Sequence, residues 1–240
     1  HAISLARPHA DGEELIIILG DTIIKTDFRR IPAAGSYVLG VREVQDPSRF
    51  GVCEVEGGVI RRIVEKPERP ASNLALIGLY YFLDSSPLFD ACAGVIERGI
   101  MTKGEYQVTD ALQLMIDRGA EFRPYHIDGW YDCGKVETLL ETNRILLADA
   151  GSEARRDGCI VIPPCFIDAE SRITSSIIGP HVSVAKGCEI RGSIIENSIL
   201  NEGSSIENVI LEGSVVGAFA EVTGRKGSVN VSDYSQIDYR

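Results

Sequence analysis

Two patterns of hydrophobic residues divide the chain near residue 150. Before that point, short apolar runs alternate with segments in which apolar residues recur at helical spacing. The wholly aliphatic run Leu15–Leu19 predicts a strand that is buried on both faces of a parallel sheet. Tyr37–Val44, Leu76–Leu83 and Phe122–Ile127 predict further strands. Strands that alternate with helices predict an α/β domain with a largely parallel sheet.

Glycines and helical periodicity predict the other elements of this half. Gly57-Gly58 readily adopts the positive φ angles of a tight turn, so Gly51–Glu65 predicts a hairpin. Apolar spacing and a following glycine predict helices at Leu88–Arg98 and Thr109–Arg118. Val136–Leu147 predicts a third helix, which is amphipathic.

After Gly158 the apolar residues recur roughly every six positions, a period that fits neither a helix nor a simple strand. The repeated aliphatic positions are Val161, Ile167, Ile173, Ile178, Val184, Ile190, Ile195, Leu200, Ile206, Leu211, Val216 and Val222. Such a repeat predicts a triangular coil of parallel strands, with one aliphatic side chain pointing inward on each face and small residues at the corners. It resembles the left-handed β-helix of hexapeptide repeats, and a β-sandwich of short strands is the alternative.

The repeat also predicts where the β-helix ends. We expect it to cover residues 158–224, because residues 225–240 depart from the period. An open end of the coil would expose unpaired backbone, so the tail is predicted to cap the last turn.

Composition limits the partners and the compartment. The 240 residues carry a net charge of −11, which argues against nucleic acid or an anionic membrane surface as a partner. The aliphatic run at residues 15–19 is far too short to span a bilayer, and no secretory signal is visible. The six cysteines form no CxxC pair, so we expect mostly buried thiols and a reducing cytoplasm.

Three motifs place chemically useful side chains at the ends of predicted strands. Asp21 in Gly-Asp-Thr and Asp132 in Trp-Tyr-Asp-Cys-Gly each follow a strand, where two carboxylates can hold Mg²⁺ together with phosphate oxygens. Glu65 and Lys66 precede Pro67, which ends a strand; the glutamate can accept from sugar hydroxyls and the lysine can neutralise a phosphate. Each motif alone also has a plain interpretation, as a helix cap, a turn or an exposed ion pair.

The order of the motifs resembles the sugar-1-phosphate nucleotidyltransferase family. Between them lie Ser72–Tyr80 and Gly104–Asp110, with sequences SNLALIGLY and GEYQVTD. The resemblance extends from about residue 15 to residue 224 and is greatest to the long form with a C-terminal left-handed β-helix, in the glucose-1-phosphate thymidylyltransferase branch. It implies that residues 1–150 are the sugar-phosphate and metal side of a Rossmann-like nucleotidyltransferase domain.

The resemblance also implies the reaction and the roles of individual residues. A sugar 1-phosphate, with glucose 1-phosphate expected, would attack the α-phosphorus of dTTP or UTP and release pyrophosphate. Asp21 and Asp132 would bind Mg²⁺, and Asp21, Lys66 and Asp132 would form the catalytic set. The residues implied in substrate binding are Gly51, Glu65, Asn73, Gly78, Tyr80, Glu105, Asp110 and Trp130.

One part of the family pattern does not occur in the sequence. The glycine-rich loop that holds the triphosphate through backbone N–H groups has no counterpart before Asp21. We therefore expect this polypeptide alone to be inactive, and we expect an exposed sheet edge beside residues 15–19.

Two other functions stay open, and the repeat suggests a partner. A hexapeptide-repeat acyltransferase would need a histidine base, and His181 is the histidine of the repeat region. A non-catalytic regulatory or assembly subunit would use the β-helix only to associate. Because a β-helix has flat faces, we expect a homo-oligomer formed through it.

Overall fold

The computed structural model describes residues 1–150, 158–224, 226–227 and 229–238. The chain divides into two compact units, residues 1–131 and 132–240. We expected the boundary between residues 150 and 158. The structure places it earlier, so the amphipathic helix predicted at Val136–Leu147 belongs to the second unit. Among the described residues, no helix is long and apolar enough to cross a membrane.

The first unit is built on two sheets. Its strands are β1 (Leu15–Ile18), β2 (Thr22–Lys25), β3 (Tyr37–Glu43), β4 (Gly51–Glu56), β5 (Val59–Glu65), β6 (Leu74–Phe82), β7 (Phe122–His126) and β8 (Gly129–Asp132). Six of them form one sheet in the order β1-β6-β3-β7-β5-β4, while β2 pairs with β8. The predicted hairpin Gly51–Glu65 is confirmed as β4 and β5, and both turn glycines have positive φ.

The prediction of a largely parallel sheet is wrong. Within the six-stranded sheet, β3 and β7 pair in parallel, whereas β1–β6, β3–β6, β4–β5, β4–β6 and β5–β7 pair antiparallel. Parallel neighbours need a crossover of a dozen or more residues. The turn at Gly57-Gly58 and the loop of residues 66–73 are too short to provide one.

The strand at Leu15–Leu19 also differs from its prediction. β1 lies at the edge of the sheet and pairs antiparallel with β6 alone. Its side chains alternate: Leu15 and Ile17 pack on the core, while Ile16 and Ile18 are 39% and 45% exposed. A short aliphatic run is compatible with either environment. The exposed sheet edge that we expected beside this run is confirmed in the described residues.

Helices cover one face of the six-stranded sheet. The α-helices of the chain are α1 (Arg7–Ala10), α2 (Ser86–Glu97), α3 (Val108–Asp117) and α4 (Val136–Ala150), and the 3₁₀ turns are Ile3–Ala6, Phe28–Arg30, Pro32–Ala34 and Pro47–Arg49. The three longer helices were predicted within a few residues. Side chains of α2 and α3, among them Leu88 and Leu112, join Phe82 and Phe122 of the sheet in one buried cluster.

The second unit contains a parallel β-helix, as predicted. Its strands form three five-stranded sheets, here called face 1, face 2 and face 3. Face 1 comprises β9 (Ile160–Val161), β12 (Ile177–Ile178), β15 (Ile194–Glu196), β18 (Ile210–Glu212) and β21 (Lys226–Gly227). Face 2 comprises β10 (Cys165–Ile167), β13 (Val182–Val184), β16 (Ile199–Leu200), β19 (Val215–Val216) and β22 (Asn230–Val231). Face 3 comprises β11 (Arg172–Thr174), β14 (Glu189–Arg191), β17 (Ser205–Glu207), β20 (Glu221–Thr223) and β23 (Gln236–Asp238).

Stacked aliphatic side chains and corner serines hold the coils together. Ile178 stands in register with Ile195, and Ile195 with Leu211, all buried in the interior. At one corner the Ser193 hydroxyl donates to the Arg191 carbonyl at 2.8 Å and accepts from the Val209 N–H of the next coil at 3.3 Å. Ser193 is only 1% exposed, so its hydroxyl satisfies backbone groups that water cannot reach.

The pairing continues beyond residue 224, where we expected the β-helix to end. β21, β22 and β23 add parallel partners to β18, β19 and β20. The described part of the tail therefore forms a further turn of the coil, in which the repeat is weak in sequence but kept in backbone pairing.

Helix α4 packs against the β-helix. The Ser183 hydroxyl on face 2 donates to the Asn143 Oδ1 at 2.6 Å, and the Arg144 Nε donates to the Asn197 Oδ1 at 2.7 Å. Leu140 and Leu147 of the same helix are buried. The apolar stripe that predicted this helix therefore serves to cover a face of the coil.

Candidate functional site

A nearly buried carboxylate forms the centre of the candidate site in the first unit. Glu65 ends β5, and its side chain is 9% exposed. The Thr109 hydroxyl, in the first turn of α3, donates to the Glu65 Oε2 at 2.9 Å. The Lys66 Nζ lies 3.6 Å from the Glu65 Oε1. A carboxylate held in this way keeps acceptor capacity for a further donor.

Gly51 makes room for this contact. It stands opposite Glu65 in the β4–β5 register. A Cβ at residue 51 would come 2.7 Å from the Thr109 Cγ2 and 3.1 Å from the Glu65 Oε2. The glycine therefore lets the helix and the carboxylate approach, a role that we had not predicted for it.

The backbone turns sharply where Lys66 leaves the hairpin. Lys66 has a φ of 41°, in the region that non-glycine residues rarely adopt. Its N–H donates to the Phe50 carbonyl at 2.9 Å, and Pro67 follows and cannot extend the strand. Its side chain is 42% exposed, so the ammonium group can meet a ligand from solvent.

Two other predicted residues share the electrostatic surroundings of Glu65. Burial raises the pKa of Tyr80, and the negative charges of Glu65 and Asp21 raise it further. The Tyr80 side chain is 3% exposed, so a neutral hydroxyl lies buried within the field of both carboxylates. Asp21 itself is exposed at the start of β2.

Aromatic side chains adjoin this region through β2. The Trp130 Nε1–H donates to the Thr22 Oγ1 at 2.7 Å. The Trp130 ring meets the Phe50 ring edge-on at a centroid distance of 5.5 Å. Phe50 and Gly51 are adjacent, so Trp130 is linked to the hairpin that carries Glu65.

One predicted metal ligand lies just before strand β2, and the other lies at the end of strand β8. Asp21 immediately precedes β2, Asp132 is the last residue of β8, and these strands pair. In the described part of the chain, no group of three or more His, Cys, Asp or Glu side chains could hold a metal ion. Mg²⁺ commonly takes one or two carboxylates from a protein and completes its shell with phosphate oxygens and water, so two aspartates are compatible in chemistry with the predicted ion. The joint role of the two residues stays a prediction.

Four predicted substrate residues make other contacts. Gly78 has a φ of 75°, and its carbonyl accepts from the Leu19 N–H at 2.9 Å, which fixes the chain just before Asp21. Asn73 is exposed, and its carbonyl accepts from the Val44 N–H. The exposed Glu105 accepts from the Gln107 amide at 3.1 Å, and Asp110 accepts from the Thr102 hydroxyl at 2.9 Å. These contacts shape loops, and the substrate roles of the four residues stay predictions.

Two threonines complete the site. The family resemblance implied only that Thr109 helps to position helix α3, and it implied no role for Thr22. Thr109 holds the Glu65 carboxylate and Thr22 holds the Trp130 indole. Each threonine is adjacent in sequence to an aspartate of a predicted motif, Thr22 to Asp21 and Thr109 to Asp110. This adjacency to a predicted aspartate was the signal in the sequence that could have identified the two threonines.

The histidine of the alternative acyltransferase hypothesis lies at a corner of the β-helix. The His181 N–H donates to the Pro164 carbonyl at 2.7 Å, and its carbonyl accepts from the Asn143 amide of α4 at 3.3 Å. This corner is therefore in contact with the helix, and no observation favours acyl transfer there.

Comparison with known proteins identifies the family. The family model for nucleotidyl transferases matches residues 1–149. The chain belongs to the nucleotidyl transferase family. A glucose-1-phosphate thymidylyltransferase of Streptomyces antibioticus is 32% identical, over 99% of this chain and 75% of that protein. A UTP–glucose-1-phosphate uridylyltransferase of Haloferax volcanii is 32% identical, over 61% of each chain.

A solved structure agrees with this membership. A Bacillus anthracis protein described as a glucose-1-phosphate thymidylyltransferase, crystallised with sucrose, superimposes with a TM-score of 0.51 and 26% identity. The match covers 64% of this chain and 62% of that one. The Rossmann-like nucleotidyltransferase domain followed by a β-helix is thereby confirmed as the fold of this family member.

Proposed function

We propose that this nucleotidyltransferase acts on a sugar 1-phosphate, glucose 1-phosphate in particular, and takes its nucleotidyl group from dTTP or UTP. The names of the relatives support this substrate class. The observation that carries the proposal is the Glu65–Thr109–Lys66 cluster, which sets a nearly buried carboxylate beside a partly exposed ammonium group. A polyol that bears a phosphate matches those two groups.

The residues of this cluster serve binding and orientation. A phosphate oxygen of the sugar phosphate attacks the α-phosphorus, and pyrophosphate leaves as the bond to the β-phosphate oxygen breaks. Glu65 accepts hydrogen bonds from sugar hydroxyls, and Lys66 neutralises the sugar phosphate. Catalysis then comes from positioning and from charge neutralisation rather than from a covalent intermediate.

Asp21 and Asp132 would hold Mg²⁺, which supplies positive charge to the crowded phosphate oxygens. Support for this assignment comes from the pairing of β2 with β8 and from the donor chemistry of the two carboxylates.

Binding of glucose 1-phosphate to the 240-residue chain tests the proposal without depending on turnover. Isothermal titration calorimetry should show binding that Glu65→Gln and Lys66→Met each weaken about ten-fold or more, because charge-assisted hydrogen bonds are lost. Glu54→Gln is the matched control, since Glu54 lies on the same hairpin in an exposed ion pair with Arg62. Unchanged affinity in both site variants, with native circular dichroism, would reject the assignment.

The cysteines bear on the compartment in which we propose that the protein acts. None of the six cysteines, all within the described residues, forms a disulfide. This supports a reducing compartment such as the cytoplasm. We also propose a homo-oligomer formed through the β-helix.

A further inference from the structure

Helix α3 is hydrogen-bonded to β5 at a second point besides Thr109. The Ile63 N–H donates to the Gln113 Oε1 at 2.7 Å. The Gln113 Nε2 in turn donates to the Asp117 Oδ1 at 2.7 Å, one turn further along the helix. An ionised aspartate accepts hydrogen bonds and donates none, so it holds the nitrogen of the Gln113 amide and leaves the oxygen for the strand. Gln113 therefore presents a fixed acceptor to β5.

The Ile63 N–H needs such an acceptor because no strand lies beside it. In the described residues, the pairing of β5 with β7 is limited to Ile60, near the start of β5. The Lys66 N–H donates towards β4, to the Phe50 carbonyl. Successive N–H groups alternate in direction along a strand, so the Ile63 N–H, three residues earlier, points away from β4. Ile63 is 5% exposed, and a buried N–H without a partner is costly. The Gln113 side chain thus replaces a neighbouring strand.

The spacing of the two contacts matches along the helix and along the strand. Thr109 and Gln113 are four residues apart, which is a rise of about 6.0 Å in an α-helix. Their partners Glu65 and Ile63 are two residues apart, which is about 6.6 Å in a strand. The helix and the strand run in opposite directions, and each contact lies beside the other. Together the two hydrogen bonds define the register of α3 on β5.

We propose that Gln113 is a positioning residue for the Glu65 carboxylate. This inference rests on the proposed function, in which Glu65 accepts hydrogen bonds from sugar hydroxyls. Gln113 fixes α3 on β5 and thereby fixes the Thr109 hydroxyl, which donates to the Glu65 Oε2 at 2.9 Å. A misplacement of about 1 Å in an active site costs on the order of a hundred-fold in rate. The sugar pocket therefore depends on a side chain whose contacts are with the strand and not with the sugar.

The close packing at Gly51 makes this register important. A Cβ at residue 51 would come 2.7 Å from the Thr109 Cγ2, so the threonine methyl group lies close to the Gly51 backbone. A shift of α3 towards β4 would close that gap, and a shift away would break the hydrogen bond to Glu65. Thr109 restrains the helix only at its first turn. Gln113, one turn later, prevents the helix from pivoting about Thr109.

Calorimetric titration of the full chain with glucose 1-phosphate tests the proposal. Gln113→Leu keeps the size of the side chain and removes the acceptor, so it should weaken binding about ten-fold while circular dichroism stays native. The double variant Gln113→Glu/Asp117→Asn keeps an oxygen for the Ile63 N–H and an amide donor for that oxygen's carboxylate. It should therefore bind within about two-fold of the wild type. Asp117→Asn alone is the control and should leave the affinity unchanged, because its side-chain oxygen still accepts from Gln113.

A comparison in the Glu65→Gln background separates positioning from general stability. There, Gln113→Leu should weaken binding by about two-fold or less, because the carboxylate that it positions is already replaced. Unchanged affinity of Gln113→Leu in the native background, failure of the double variant to recover, or an equal loss in both backgrounds would overturn the proposal. A wild type that binds no glucose 1-phosphate would reject the proposed function instead. Urea midpoints then decide the positioning: non-additive shifts for Gln113→Leu and Glu65→Gln support it, and additive shifts overturn it.

Discussion

Replacement of Thr109 by valine removes one hydroxyl from the carboxylate at the centre of the site and keeps the shape of the side chain. The Thr109 hydroxyl donates to the Glu65 Oε2 at 2.9 Å, and the Glu65 side chain is 9% exposed. A hydrogen bond to a charged group contributes about 1.5–3 kcal/mol, and water has little access to replace it here. We therefore expect the free energy of unfolding to fall by about 1–3 kcal/mol.

Urea denaturation followed by circular dichroism measures this loss. Thr109→Ser keeps the hydroxyl and loses the methyl group that packs beside Gly51, so it separates the hydrogen bond from packing. A double-mutant cycle with Glu65→Gln isolates the pair. We expect a coupling energy of about 1 kcal/mol or more, because the two groups are in direct contact.

Calorimetric titration with glucose 1-phosphate tells positioning apart from stability. If Thr109 holds the carboxylate in its binding geometry, Thr109→Val should weaken binding, while Thr109→Ser should largely preserve it. Additive effects of Thr109→Val and Glu65→Gln on stability, or equal affinities for the valine and serine variants, would refute this reasoning.

Three further predictions concern a corner serine of the β-helix, a buried cysteine and the predicted metal ligand Asp21. Ser193→Ala should lower the free energy of unfolding by about 1–3 kcal/mol, because it leaves a buried N–H without an acceptor; Ser205→Ala, on an outward position, should change it little in the same urea titration. Burial raises the pKa of Cys53 from 9.0 to about 12. The unfolded chain therefore loses this proton first, and stability should fall by about 1 kcal/mol per pH unit above 9; Cys53→Ala should flatten that slope, and a slope unchanged by the substitution would contradict it. Asp21→Asn should reduce the gain in glucose 1-phosphate affinity that Mg²⁺ gives in calorimetry, and an equal gain in the variant would exclude Asp21 as a ligand.

Local signals in the sequence were sufficient for much of the fold. The Gly57-Gly58 turn dictates its own hairpin because both residues adopt positive φ. The repeat of the β-helix was equally predictable, because the position of a residue within a coil determines whether its side chain points inward. In both cases the deciding interactions lie within a few residues or one coil of each other.

Other features depend on partners that are distant along the chain. A run such as Leu15–Leu19 has the same hydrophobic pattern whether the strand has a neighbour on one side or on both. Its edge position could therefore not be predicted. The amphipathic helix α4 was predicted, but nothing in its apolar stripe states whether a sheet or a β-helix will cover it. The alternation of strands and helices before α4 favoured packing against a sheet. In the structure, the Asn143 side chain of α4 instead contacts Ser183 of the β-helix.

The site shows the same division between local and distant causes. The Glu65-Lys66-Pro67 motif alone equally predicts an exposed ion pair at a strand end, a contact of about 0–1 kcal/mol. The structure adds what that interpretation lacks: Thr109, 44 residues away in sequence, donates to the carboxylate, and Gly51 removes the Cβ that would keep them apart. Strands β4 and β5 and helix α3 thus converge to bury most of the Glu65 carboxylate. Burial of a charge is costly unless the charge is hydrogen-bonded. A surface ion pair would gain nothing from that arrangement, whereas a carboxylate that must meet sugar hydroxyls in a fixed geometry does.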